Sequence, residues 1–562
     1  MKKCGAEIFV ESLLEEGVDA IFGHPGGVVL KIYDVLMDAP IRHMLMRHEQ
    51  GAVHAADGYA RATGRPGVCL ATSGPGATNC VTGMVTANMD SIPIVVFTGQ
   101  VPTTAIGNDA FQEADIFGIT MPCVKHSYVV RRVEDLARTI KEAFYIAQTG
   151  KPGPVLVDIP KDVSQLETEF KYPHEVKLRG YAPTYAGHLG QVRRAAKALA
   201  QAKQPVLYVG GGAVSSNAAP ELRELAELLH TPVTTTLLGL GSFPETHQLA
   251  MGMLGMHGTY WANMAMCEAD LIFAIGARFD DRVTGRLDAF AENAETIIHI
   301  DIDPSNIGKN VRTDIPIVGD VKTVLRSLID ALRTVKKDWA TDHAPWLEMI
   351  RDWAIAHPLK YEQGDEVVKG QYVIEAISQL APKDAIIATG VGQHQMWAAQ
   401  FYRFTQPRTW LTSGGLGTMG YCLPAAIGAQ VAYPDRMVIG IDGDGSFQMT
   451  SQELATAVQY KLPVKIVILN NYYLGMVKQW QELFYNKRYS HSYLGNIPDY
   501  VKLAEAYGAK GFRATKPHEV LPTLQQAFAT PGPVVTEVVI DSEEKVYPMV
   551  PAGAALREMV LA

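Results

Sequence analysis

The chain is predicted to fold as an α/β protein of three doubly wound parallel-sheet domains. Short apolar runs alternate with helical patterns along its length, glycine-rich turns follow many of those runs, and 562 residues exceed what one core can hold. At roughly 150 residues per domain the length allows three or four units, and the pattern breaks twice, which gives three. A hydrophobic share of 47% with 50 glycines fits a globular chain rich in tight turns.

The first domain is expected over 1–165. Its opening, Met-Lys-Lys-Cys-Gly-Ala-Glu, meets Glu7 and Glu11 before a signal-like apolar core can form, so it reads as an amphipathic helix. Strands are expected at 20–22, 41–46, 67–71, 94–97 and 155–157. Three of them end in Gly23-His24-Pro25-Gly26-Gly27, Arg47-His48-Glu49-Gln50 and the loop from Thr72 to Asn79. In an open parallel sheet the carboxyl ends of the strands share one rim, which is where ligands bind. By residue type alone, Glu49 reads as a solvated surface group.

Charged and Pro/Gly-containing sequence marks 166–190 as a linker, and the second domain is expected over 191–345. A strand at 206–209 enters Gly210-Gly211-Gly212; without GxGxxG spacing this reads on its own as a helix–strand turn. Further on, 271–275 runs into Gly276-Ala277-Arg278-Phe279-Asp280-Asp281-Arg282, and 297–302 runs into Asp303-Pro304, followed by Gly319-Asp320. Taken alone, the charged run 278–282 reads as a surface ion-pair cluster.

A second linker is expected at 346–368 and the third domain at 369–562. A strand at 386–389 enters Gly390-Val391-Gly392-Gln393-His394, and the glycine-rich loop 412–420 follows. Then 437–441 feeds Asp442-Gly443-Asp444-Gly445-Ser446. Thr450 and Glu453 have capping-box spacing for a helix carrying Leu454, Ala457 and Val458, and a strand at 464–469 ends at Asn470-Asn471. A right-handed crossover brings Asp444 and Asn471 to the same sheet edge. Their oxygens suit Mg²⁺, which completes its shell with water and phosphate, so the implied ligand is a diphosphate. Thr72-Ser73-Gly74 and Thr412-Ser413-Gly414 echo each other, the pattern of a duplication between the first and third units.

The formal charge of −9 and the lack of any Lys/Arg-rich run exclude a nucleic-acid-binding surface. No stretch reaches about 18 uninterrupted apolar residues, so no membrane span is expected. Six cysteines without CxxC spacing are expected to be reduced thiols of a cytoplasmic protein.

Gly443-Asp444-Gly445 followed after one crossover by Asn470-Asn471 resembles the signature of the thiamine diphosphate enzymes. The wider motif set resembles one branch of them, the catalytic large subunits of acetohydroxyacid synthase, also called acetolactate synthase. The resemblance implies a pyrimidine-binding, a central FAD-binding and a diphosphate-binding domain, with thiamine diphosphate, Mg²⁺ and FAD as cofactors. Glu49 then bonds N1′ of the aminopyrimidine, and Asp444, Asn471 and the Tyr473 carbonyl hold Mg²⁺. Gln393 and His394 touch the diphosphate and Gly417 and Met419 the aminopyrimidine, with Pro25, Gly26, Gly445, Ser446 and Met476 also at the cofactor. The flavin set is Lys151, Gly210, Gly211, Gly212, Thr236, Leu237, His257, Arg278, Asp280, Asp301, Ile302 and Asp320.

By the same resemblance Arg282 holds the carboxylate of the second 2-oxoacid, and Trp480 with Met256 favours 2-oxobutanoate; by themselves the last two read as lid and core packing. Phe111, Gln112 and Lys161 match further active-site positions. The implied reaction decarboxylates pyruvate on the cofactor and joins the hydroxyethyl carbanion to a second pyruvate or 2-oxobutanoate, the first common step to valine, leucine and isoleucine. Alternatives on this scaffold are a flavin-dependent pyruvate oxidase and an FAD-free catabolic acetolactate synthase. A homodimer or dimer of dimers and a small regulatory subunit are expected. The chain departs from the family pattern at His24 (usually Tyr), Lys151 (Arg), Gly390 (Asp) and Cys422 (Gly).

Overall fold

The computed structural model describes residues 2–335 and 337–561. Three six-stranded parallel sheets follow one another. The first runs Arg42–Leu45, Ala20–Gly23, Gly67–Ala71, Ile94–Gln100, Pro154–Pro160, His126–Val129. The second runs Ala250–Met253, Val233–Thr235, Pro205–Val209, Leu271–Ile275, Thr296–Asp301, Ile315–Val318. The third runs Trp410–Leu411, Ile386–Thr389, Val438–Gly443, Lys465–Asn470, Val534–Val539, Lys510–Ala514. With strands counted in chain order inside each sheet, the outer two share the order 2-1-3-4-6-5, whereas the middle one has 3-2-1-4-5-6. The echo between first and third units thus coincides with a shared topology. Central strands such as Ile94–Gln100 and Lys465–Asn470 are buried at every residue because helices cover both faces.

Local expectations differ from the structure in four places. Lys2–Cys4 is a strand, paired antiparallel with Glu167–Glu169 inside the expected linker, and the helix starts only at Gly5. Lys2 faces Glu169, and such opposite charges across a ladder favour pairing. His126–Val129 escapes notice because an edge strand needs no apolar run. The helix Trp339–Ala356 runs through the expected boundary at 345. Thr450 forms no capping bond: its hydroxyl donates to Gly420 O at 2.8 Å, and Glu453 ends a short 3₁₀ turn, Ser451–Glu453, facing another domain.

The first and third domains of the chain are packed hard together. A Cβ at Gly58 of the helix Glu49–Thr63 would lie 2.3 Å from Ala425 O, and one at Gly428 of the helix Cys422–Ala432 would lie 1.9 Å from Ala55 O. Only glycine permits that approach. Beside it, buried Arg61 bridges Asp57 at 2.6 Å and Asp90 at 2.8 Å, while Tyr421 donates to Asp57 at 2.5 Å. Asp90 also accepts from Gly414 N and Gly415 N at 3.0 and 2.7 Å, so each buried charge is paired and hydrogen-bonded. Among the described residues no helix is long and apolar enough to cross a membrane.

Candidate active site

In the third sheet all strands run parallel, so their carboxyl ends place Gly390–His394, Gly443–Ser446 and Asn470–Tyr473 along one edge. Gln393 opens the helix Gln393–Phe401, whose N-terminal amides suit an anion. Its side chain joins the site: Oε1 accepts from Asn471 Nδ2 at 3.2 Å, and Nε2 donates to Gln479 Oε1 at 3.0 Å. Asn471 Oδ1 accepts from Tyr473 N at 3.0 Å and keeps a second lone pair. Asp444 Oδ1 accepts from Gly445 N at 2.9 Å, while its buried Oδ2 has no hydrogen-bond partner among the described residues. Burial pushes the Asp444 carboxyl up to about 7. A buried carboxylate oxygen with no partner among the described residues, beside the free lone pair of Asn471 Oδ1, is what a hard divalent cation would satisfy, so these residues fit Mg²⁺. Met419 and Leu474 lie against Gly445, where a Cβ would stand 3.6 and 2.7 Å from them.

Gly390 now has an explanation. A Cβ there would meet Asp442 Oδ1 at 1.9 Å and Ser446 Oγ at 2.4 Å, so the neighbouring strand puts a carboxylate in the space that the aspartate expected from the resemblance would enter. Asp442 is fully buried, its carboxyl is pushed up to about 7 by burial, and His394 Nε2 lies 3.6 Å away. Burial lowers His394 to about 3, so the ring is neutral. Gly390→Ala is expected to cost about 1–3 kcal/mol by overpacking. Thermal unfolding and half-saturation by thiamine diphosphate measure it, and unchanged values in both would contradict the close contact.

A cavity of about 930 Å³ opens where the three domains meet, walled by the second and third and by Met89, Asp90, Gln148 and Lys151 of the first. Every residue of the flavin set lines it: Lys151, Gly210, Gly211, Gly212, Thr236, Leu237, His257, Arg278, Asp280, Asp301, Ile302 and Asp320. Gly210 is required by close approach, since a Cβ would sit 2.3 Å from Gly276 O. Lys151 lies 3.4 Å from Asp303 and Arg278 3.4 Å from Asp280, so both cations on this part of the wall stand beside a carboxylate. Burial raises Asp301 to about 6. A cavity of this volume with cations for phosphates and carboxylates for hydroxyls fits a flavin dinucleotide. The 278–282 run is thus a cavity wall rather than only a surface cluster.

The same cavity is lined by Met256, Arg282, Gly417, Met419, Met476 and Trp480. Arg282 Nη1 lies 3.5 Å from Met256 Sδ, and its guanidinium sits 5.8 Å from the Trp480 ring centre. Trp480 also packs edge-on to Phe484.

The rim of the first sheet forms a separate cluster. Glu49, only 8% exposed, begins the helix Glu49–Thr63 and accepts from Asn79 Nδ2 at 3.0 Å, so the surface reading of this residue does not hold. A Cβ at Gly26 would meet the Thr72 side chain at 2.5 Å, and one at Gly74 would meet Gln112 O at 2.8 Å, which draws the Pro25-Gly26, Thr72 and Gln112 loops together. Gln112 has φ +58°. Phe111 is 88% exposed, and Lys161 starts the helix Lys161–Gln165 on the surface. None of Pro25, Gly26, Glu49, Phe111, Gln112 and Lys161 lines the 930 Å³ cavity. His24 Nδ1 pairs with Met46 O at 2.8 Å, and Cys422 Sγ faces Ala388 O at 3.5 Å.

Sequence reasoning passed over Asp442, Asn79, Gln479 and Asp90, and read Glu453 only as the capping-box partner of Thr450. Glu453 lies inside the signature and Asp442 just before it, yet Glu453 bonds to Arg47 and His48 and Asp442 fills the space beside Gly390, and local spacing carries no signal of either.

Three thiamine pyrophosphate enzyme family models match the chain: the N-terminal TPP binding domain over 3–119, the central domain over 192–328 and the C-terminal TPP binding domain over 390–538. The chain is 51% identical to the acetolactate synthase isozyme 3 large subunit of Escherichia coli (strain K12), over 99% of this chain and 98% of that protein. It is 50% identical to an acetolactate synthase large subunit of Haemophilus influenzae, over 100% and 99%, and 51% identical to one of Corynebacterium glutamicum, over 98% and 89%. Identity at this level across all three sheets shows that the chain belongs to the acetolactate synthase large-subunit family of thiamine pyrophosphate enzymes.

Proposed function

We propose that the chain condenses pyruvate with a second pyruvate, giving 2-acetolactate, or with 2-oxobutanoate, giving 2-aceto-2-hydroxybutanoate, with loss of CO₂ from the first pyruvate. The observation that carries this reading is the meeting of Arg282, Met256 and Trp480 in the cavity that Met419 also lines. A guanidinium offers paired donors to a 2-oxoacid carboxylate, while the thioether and indole offer apolar contact to its alkyl end. Bound thiamine diphosphate supplies the electron sink that lets a 2-oxoacid lose CO₂. Asp444, Asn471 and the Tyr473 carbonyl would hold Mg²⁺, and Gln393, His394, Gly445 and Ser446 the diphosphate. Glu49 would hold a proton at N1′ of the aminopyrimidine, general acid–base work for a carboxyl out of water.

The Glu49 rim lies apart from the cavity and carries the exposed Phe111, which supports a site completed by a second copy, at least a dimer. In the proposed division 1–165 binds pyrimidine, 191–345 flavin and 369–562 diphosphate. The condensation involves no net oxidation, so FAD would serve structure. The relatives are named large subunits, which supports a small regulatory partner.

The test supplies pyruvate and 2-oxobutanoate together with thiamine diphosphate, Mg²⁺ and FAD, and identifies products. Both acetohydroxyacids are expected; acetate with peroxide and no acetohydroxyacid would overturn the reading. A flavin-free protein of full activity would remove the FAD assignment. Trp480→Leu is expected to shift the product ratio toward acetolactate by about 10-fold, within the ~1–3 kcal/mol that pocket methylenes supply. An unchanged ratio would count against the pocket.

A further inference from the structure

Glu453 lies on the crossover between the two proposed Mg²⁺ ligands, yet its side chain leaves the third domain. It is fully buried. Its carboxylate accepts from Arg47 N at 3.2 and 3.1 Å and from His48 N at 3.0 Å, the two amides directly before Glu49. Thr456 Oγ1 donates to it at 3.0 Å and also reaches Leu45 O at 3.0 Å. His48 is the N-cap of the helix that Glu49 opens, its Nδ1 accepting from Gln50 N at 3.1 Å. At Gly51, one turn into that helix, a Cβ would lie 2.4 Å from Glu453 Oε1, so the helix start is seated on this carboxylate.

We infer that Glu453 is a positioning residue for Glu49, clamping the two backbone amides that set where the Glu49 helix begins and hence where its carboxyl points. A carboxylate has lone pairs enough to serve both amides and the Thr456 hydroxyl at once, and those three donors oppose the burial that pushes this carboxyl up to about 7. A carboxamide has a single acceptor oxygen, and its NH₂ would face an N–H. The seat is fully buried, so an amide left without its acceptor cannot turn to bulk solvent and the turn must shift. Displacements of about 1 Å at a reacting group are worth roughly 10²-fold in rate.

The inference rests on the proposed role of Glu49 at N1′. Its test is a double-mutant cycle on the enzyme loaded with thiamine diphosphate and Mg²⁺, read as deuterium exchange at C2 of the bound cofactor alongside kcat, cofactor affinity and unfolding temperature. Glu453→Gln is expected to slow exchange about 10–100-fold with cofactor affinity retained. In the Glu49→Gln background it is expected to add nothing, since it acts only through Glu49. Equal slowing in both backgrounds, or exchange at the parent rate, would overturn the inference and leave the role of Glu49 standing. Exchange unaffected by Glu49→Gln alone would remove that role and the inference with it. Thr456→Val, which keeps the carboxylate and removes one donor, enters the same cycle should Glu453→Gln not fold. It is expected to slow exchange less, and again only when Glu49 is present; slowing in both backgrounds, or none, overturns the inference.

Discussion

Replacing Glu49 by glutamine is expected to lower kcat by about 10²–10⁴-fold, the range of a lost general acid–base group, while Mg²⁺-dependent cofactor binding stays near its original value. The separation follows from the architecture. Glu49 stands on the first sheet, bonded to Asn79, whereas Asp444, Asn471 and Gln393 stand on the third and, among the described residues, make no hydrogen bond to the first. Glutamine keeps the length of the side chain and its acceptor toward Asn79, so the helix start is preserved and only the exchangeable proton is lost. Steady-state kinetics with a direct titration of thiamine diphosphate decides the matter; a fall in affinity matching the fall in kcat would mean that Glu49 binds rather than activates.

Asp444→Asn is expected to act in the opposite compartment of the same site, weakening Mg²⁺-diphosphate binding by about 10²–10³-fold, as when one partner of a buried charge pair is removed. Without metal the sign reverses. Asp444 Oδ2 is buried and unpartnered among the described residues, and burial opposes its charge. The neutral amide relieves that cost, and the metal-free variant is expected to be more stable by about 1–3 kcal/mol. Thermal unfolding with and without Mg²⁺ shows both effects. Destabilisation of the metal-free variant would mean that the carboxylate is satisfied within the protein and is not waiting for a cation.

What could be read from the chain, and what could not, follows the range of the interactions. Buried strands announce themselves because both faces are covered and the runs become continuously apolar, and glycine turns mark their ends, so the edges that carry Asp444, Asn471 and Gly210 were legible. Polar edge strands such as His126–Val129 were not. Glu453 shows the limit most sharply. Its spacing from Thr450 satisfies a local rule, yet its partners are Arg47 and His48 in another domain. Asp442 likewise fills the space beside Gly390 from an adjacent strand, a substitution across space that no linear motif records. The buried Glu49 bonds to Asn79, 30 residues further along the chain, so residue type argued for the surface and only resemblance argued otherwise.

The glycine seam at Gly58 and Gly428 has a further meaning if two copies complete each site. It binds the Glu49 end and the Asp444 end of a chain into one block and fixes each where it stands. Each copy then lends its glutamate outward and keeps its metal corner for itself. A copy faulty at Glu49 harms its neighbour's centre while its own still turns over, and a copy faulty at Asp444 harms only its own. Mixed pairs of differently damaged chains therefore retain a whole centre, and faults that would silence either chain alone are complemented in the assembly.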